Sequence, residues 1–212
     1  NQEKIGEGVS AELIIFYDSS YKNTSKETGD SHDRSLKSGE EDPVKKDFDA
    51  LFSKAQQHFH NQSVMITLKV QEVTENDNIS VGFEGSSRSL NGSGTLKKLI
   101  QYAQTAGKSN NTIFCLFTGK PIYEENHRGD RVPHSLQEIE TKGTFCSGNQ
   151  NAAVVKHHFG SWNHWSTVEV MAQIFGSDHY TRFSPSDIQK MKGVFGRCRG
   201  STEAGATRQG TN

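Results

Sequence analysis

The run Leu13-Ile14-Ile15-Phe16-Tyr17 is unbroken by any charged residue, and Thr112-Ile113-Phe114-Cys115-Leu116-Phe117-Thr118 repeats that character far downstream. A strand with one wet face alternates polar and apolar residues. A strand without that alternation is covered on both faces, as the central strands of parallel sheets are. Between the two runs, Asp42-Pro43 reads as an N-cap followed by Pro at the first helical position. Val44, Phe48, Leu51, Phe52, Ala55 and Phe59 then recur at helical spacing on one face. Val64 to Val73 alternates in part and reads as a strand, and Leu96, Leu99, Ile100 and Ala103 mark a second amphipathic helix. The order strand, helix, strand, helix, strand predicts an α/β fold, a mainly parallel sheet flanked by helices.

Working outward, Ala152-Ala153-Val154-Val155 reads as a further short strand. Trp165 to Phe175 is helical in pattern, with Val168, Met171, Ala172 and Phe175 on one face. Ser184-Pro185-Ser186-Asp187 has the form of a capping box opening a last helix, whose buried face would be Ile188, Met191 and Phe195. The polar segments divide the chain: a leader over 1–10, a mobile insertion over 18–42, a loop-rich crossover over 119–142 and a disordered tail over 199–212.

The 212 residues are only 32% hydrophobic, yet the deficit is concentrated in those polar segments. Net charge is −1, from 24 basic and 25 acidic residues, which excludes a nucleic acid or an anionic membrane held by charge alone. No stretch approaches the ~18 apolar residues of a membrane-spanning helix. The first residue, Asn1, reads as the start of a processed chain or a fragment. Acceptor sequences for N-linked glycans stand at Asn23, Asn61, Asn78, Asn91 and Asn110, a number that points to a secreted, extracellular glycoprotein. In that compartment one disulfide and one buried free thiol is a reasonable use of Cys115, Cys146 and Cys198; without a CxxC, a structural zinc site built on cysteines is not expected.

Phe117-Thr118-Gly119, Gly143-Thr144-Phe145-Cys146 with Ala153-Val154-Val155, Phe175-Gly176-Ser177-Asp178-His179 and Phe183-Ser184 follow one another in a telling order. Together they resemble the catalytic domain of the reprolysin/ADAM-type zinc metalloproteases, a branch of the metzincins, over roughly residues 11–198. The resemblance implies a twisted, mainly parallel sheet with one antiparallel edge strand, flanking helices and a small C-terminal subdomain. It also implies a disulfide between Cys146 and Cys198, which would leave Cys115 free. Glu12 matches a structural-calcium ligand of some members, but Arg199-Gly200-Ser201 after Cys198 does not follow suit, so calcium is not expected.

That family carries H-E-x-x-H-x-x-G-x-x-H on its active-site helix. Histidines four apart grip one zinc, the Gly lets a third His reach it, and the Glu is general base to the zinc-bound water. Anchored on Gly176 and His179, the stretch here runs from Glu169 through Val170 and Gln173. Glu169 and Gln173 replace the first two ligands, His179 keeps the third, and Val170 stands at the general-base position. The Met-containing turn of the family also has no room, because Phe183-Ser184 follows His179 almost at once. The resemblance therefore implies a pseudoprotease with no catalytic residue and no cofactor; zinc, held by Glu169, Gln173 and His179, is the cofactor if the domain is an active endopeptidase. Read without the resemblance, the same stretch is an apolar helix ending at Gly176 with His179 exposed.

Two further constellations matter. His157, His158, His164 and His179, with Glu169 and Asp178, form a histidine-rich set that either binds a metal in a new arrangement or fails to converge. Arg128-Gly129-Asp130, in polar surroundings, has the cation and carboxylate that integrins read. The sequence reading is thus a secreted, non-catalytic domain that binds a protein partner, with an integrin as the candidate. Leu136-Gln137-Glu138-Ile139-Glu140, where active relatives have an apolar edge strand for substrate, is acidic here.

Overall fold

The computed structural model describes residues 3–23, 42–124 and 133–203, with 199–203 described by backbone alone. Its main sheet has five strands in the order β2-β1-β4-β8-β7. Four run parallel: β1 (Ser10–Tyr17), β2 (Thr67–Glu75), β4 (Thr112–Thr118) and β8 (Asn151–Lys156). The edge strand β7 (Glu138–Glu140) is antiparallel to β8. A second, small sheet joins β3 (Leu90–Asn91), β5 (Ile122–Glu124) and β6 (His134–Leu136). The helices are α1 (Pro43–Asn61), α2 (Gly92–Ala106), α3 (Trp165–Ile174) and α4 (Pro185–Glu203).

The unbroken apolar strands have the expected cause. Along β1, β4 and β8 alternate residues enter two different cores. Leu13, Ile15, Ile113, Cys115, Phe117, Ala153 and Val155 face α1, α3 and α4. Ile14, Phe16, Phe114, Leu116, Ala152 and Val154 face Leu99 and Ala103 of α2. Helix α1 buries the face read from its spacing, from Val44 to Phe59, and the Asp42 carboxylate caps it by accepting from Val44 N–H at 3.0 Å.

Several polar segments are more structured than their composition suggests. The mobile insertion was expected to start at Asp18, yet residues 19–22 form a turn of 3-10 helix with Asp18 and Tyr21 fully buried. Asp18 accepts from Ser20 N–H at 3.0 Å and from the Thr118 hydroxyl at 2.6 Å, while Tyr21 stacks on Phe48 at 4.9 Å. Gly119 is required here: a Cβ would lie 2.7 Å from the Ser20 carbonyl. The remainder of the insertion, 24–41, lies outside the described residues. Within the leader, Ile5 and Val9 are buried in the larger core, and Ile5 bridges Val64. The second strand consequently starts at Thr67, not Val64. The loop-rich crossover carries β5, β6 and β7. Helix α4 runs on to Glu203, five residues into the expected tail, and 204–212 lie outside the described residues.

Cys146 and Cys198 are joined, their Cα atoms 5.2 Å apart across 52 residues of sequence. The bond ties the loop before β8 to α4 and contributes roughly 2–4 kcal/mol by restricting the unfolded chain. Cys115 is free and wholly buried, and burial pushes its thiol up to about 12, which keeps it protonated and inert.

Candidate functional site

Helix α3 is buried around most of its circumference, by Thr167, Val168, Val170, Met171, Ala172 and Ile174. It ends where Gly176 adopts φ +93°, a left-handed value that suits glycine, with Gly176 N–H donating to the Gln173 carbonyl at 3.0 Å. The same carbonyl accepts from Gly143 N–H at 2.9 Å. The Arg197 guanidinium of α4 donates to the Gly143 and Phe145 carbonyls at 2.8 and 2.7 Å. The Gly143–Cys146 loop, the end of α3 and α4 are thus locked together.

The four motif positions are dealt to different neighbours. Val170, at the position expected for a general base, is fully buried in the larger core. Glu169 is half-buried and faces the edge strand; burial, followed by the charges of Glu138 and Glu140, pushes its carboxyl up to about 7, against a hydrogen bond from the Tyr180 hydroxyl. Glu140 is also held at about 7, chiefly by burial, with Lys142 opposing and Glu138 reinforcing. Glu138 Oε2 is buried without a hydrogen-bond partner, and the proximity of the Glu138 carboxyl favours the protonated form of Glu169. Gln173 is half-buried, and its backbone carbonyl holds the turn already described.

His179 is drawn the other way. Its Nδ1 lies 2.9 Å from Asp187 Oδ2 on α4, and its ring is largely exposed. Asp187 is 1% exposed and also accepts from the Ser184 hydroxyl at 2.6 Å, from Ser184 N–H at 2.8 Å and from Asp178 N–H at 3.0 Å. Burial alone would raise its carboxyl, but these bonds pull it well below the usual range. Ser184 and Asp187 form the capping box read from sequence, with Asp187 N–H returning to Ser184 Oγ at 3.1 Å.

A zinc site needs three or four donors around one point. Among the described residues no three His, Cys, Asp or Glu side chains are so arranged. The donors at the motif positions do not fit the metal: one carboxyl shared with Glu138, one amide, and one imidazole turned to α4. The histidine-rich set does not converge either. His157 is buried between Tyr21 and Phe117, with its ring held neutral down to about 4, first by burial and then by His158, against the charge of Asp47. His164 stacks on Trp165 at 4.9 Å. Glu12 accepts from the Gln71 amide on β2.

Arg128, Gly129 and Asp130 lie outside the described residues; the ends of that connection, Glu124 and His134, are partners in an antiparallel ladder. Asn23, Asn61, Asn78 and Asn110 are exposed, whereas Asn91 is half-buried, its side chain capping α2 by accepting from Gly94 N–H at 2.9 Å.

With this geometry in view, comparison with solved structures is informative about the fold. Metalloproteinase-II from Bacteroides fragilis superposes with a TM-score of 0.54 at 9% identity, over 91% of this chain and 55% of that one. The two chains share a fold. Archaemetzincins from Archaeoglobus fulgidus and Methanopyrus kandleri give TM-scores of 0.41 and 0.42, at 14% and 10% identity, over 85% and 94% of this chain and 90% and 99% of theirs. No protein-family profile and no curated protein matches the chain by sequence. The chain spans about half the length (55%) of metalloproteinase-II.

Sequence reading missed two features of this region. It took Asp187 as a cap only, although the carboxylate also holds His179. It read Glu138 and Glu140 as spoiling an edge strand, without placing Glu169 opposite them. The acidic Glu138-Ile139-Glu140 triplet was the available signal; its partner on α3 was not readable from spacing.

Proposed function

We propose that the chain is a secreted, non-catalytic domain of reprolysin-like descent that acts by binding another protein. The observation carrying this reading is the scattering of the motif positions: Glu169 is engaged with Glu138 and Tyr180, Val170 with the core, and His179 with Asp187. Loss of a positioned acid/base costs about 10²–10⁴-fold in rate, and here the ligand set is dispersed as well. The integrin-type partner is supported by topology. Because Glu124 and His134 are ladder partners, the connection bearing Arg128-Gly129-Asp130 leaves and re-enters the small sheet at neighbouring points.

Metal analysis of the purified protein together with a protein-substrate cleavage assay tests the first part. The expected result is zinc far below one per chain and no chelator-sensitive cleavage. Stoichiometric zinc with such cleavage would establish the competing reading, a zinc metalloendopeptidase with an atypical site. For the partner, cell-surface integrin binding should be abolished by Asp130→Ala; binding that survives the substitution removes the RGD assignment.

A further inference from the structure

Asn61, the last residue of α1, lines an open groove of about 500 Å³ together with His58, Gln62, Trp165, Thr181 and Phe183. Trp165 is one of four large hydrophobic side chains exposed among the described residues, at 43%, although it is braced by His164 at 4.9 Å and His58 at 5.2 Å. The groove is otherwise rigidly built. Gln62 Oε1 accepts from Phe183 N–H at 2.7 Å, and His58 Nε2 lies 2.6 Å from the Tyr180 carbonyl. A fixed aromatic ring is therefore left partly in water beside an exposed Asn in an acceptor sequence, Asn61-Gln62-Ser63.

We infer that Asn61 carries an N-linked glycan whose first N-acetylglucosamine lies in this groove against the exposed part of Trp165. The inference rests on the secreted reading given above. A pyranose ring matches such a site: its C–H face packs on the negative face of an aromatic ring, and its hydroxyl and acetamido rim stays hydrated near Thr181 and Arg182. The tether selects this occupant over a free one, since a group joined by a short link is held at roughly millimolar effective concentration. Chemically, Asn61 Nδ2 gives up one proton and bonds C1 of the sugar. The C1–O bond that joins the oligosaccharide to its polyprenyl-diphosphate carrier breaks, the diphosphate leaves with the bonding pair, and the proton passes to solvent. Of the five acceptor sequences, Asn91 is the least suited, because its side chain is half-buried in the cap of α2.

The test uses the full chain secreted from a eukaryotic host, with site occupancy read by peptide mapping. In Trp162→Phe, a change at a position that is 81% exposed, Trp165 is the sole tryptophan, because the chain contains two. Native enzymatic release of the glycan should raise acrylamide quenching of Trp165 and lower Tm by about 2–4 °C. Asn61→Gln should show the raised quenching from the start. An occupied Asn61 whose release changes neither quenching nor Tm overturns the packing, and a bare Asn61 beside other occupied sites overturns the assignment. If no site is occupied, the secreted reading fails and this inference fails with it.

Discussion

Helices α1 and α3 both pack on the larger core, and their side chains are used in opposite ways. Helix α1 divides cleanly: Val44, Phe48, Leu51, Phe52, Ala55 and Phe59 are buried, and the opposite face is charged and wet. Helix α3 is buried nearly all round, and its one acidic side chain, Glu169, meets two more carboxyls on β7. The stability of the first region resides in apolar contact, which pH does not touch. In the second, part of it depends on whether carboxyls are protonated. Beside α3, acidic side chains of the edge strand lie on one side and the Ser184–Asp187 cap of α4 on the other.

The largest expected effect tests the apolar side of that contrast. Phe52→Ala, at 1% exposure on α1, should cost about 3–5 kcal/mol, with the same loss at pH 5 and pH 8 in denaturant unfolding. A loss that changes with pH would end the contrast. Next, replacing Cys146 and Cys198 together by Ser should cost about 2–4 kcal/mol, because the lost bond spans 52 residues and anchors α4 to the loop before β8. Equal stability of oxidised and reduced wild-type protein would refute it.

Asp187→Ala should cost about 0.5–2 kcal/mol through loss of the capping box. It should also release His179, visible as narrowing of its ring signals in NMR spectra. Unchanged ring signals would mean that Asp187 does not hold the histidine.

The smallest effect is the most diagnostic of α3. The Glu169 and Glu140 carboxyls sit at about 7 in the folded chain against 4.5 for the free groups. Their contribution is therefore full below about 4.5 and is lost as pH rises through 7. Glu169→Gln should raise the unfolding midpoint at pH 8 and leave it nearly unchanged at pH 5. His157 works in the opposite sense. Held neutral to about 4 against 6.5, it contributes fully above 6.5 and less as pH falls towards 4. The difference between wild type and Glu169→Gln cancels the His157 contribution, so a gain larger at pH 5 than at pH 8 would overturn the protonated-Glu169 account.

Some of this was legible along the chain. The apolar runs at Leu13–Tyr17 and Thr112–Thr118, the spacing of α1, and the Ser184–Asp187 box are local patterns, and local backbone preference decides them. Asp18 and Tyr21 were misread because a polar neighbourhood describes average exposure, while Tyr21 is buried by Phe48, Phe117 and His157 from distant elements. The candidate site divides the same way. The residue types at Glu169, Val170, Gln173 and His179 were readable one by one. What the replacements touch was not.

The sequence by itself determined a mainly parallel sheet covered on both faces and an apolar helix ending at Gly176, since periodicity and residue type need no partner to be read. The tertiary structure alone decided that Glu169 meets Glu138 across from β7, that His179 turns to Asp187, and that Asn61 borders Trp165. Each is a pairing between separate elements. Short-range hydrogen bonds and burial depend on positions that only the packed sheet and helices supply.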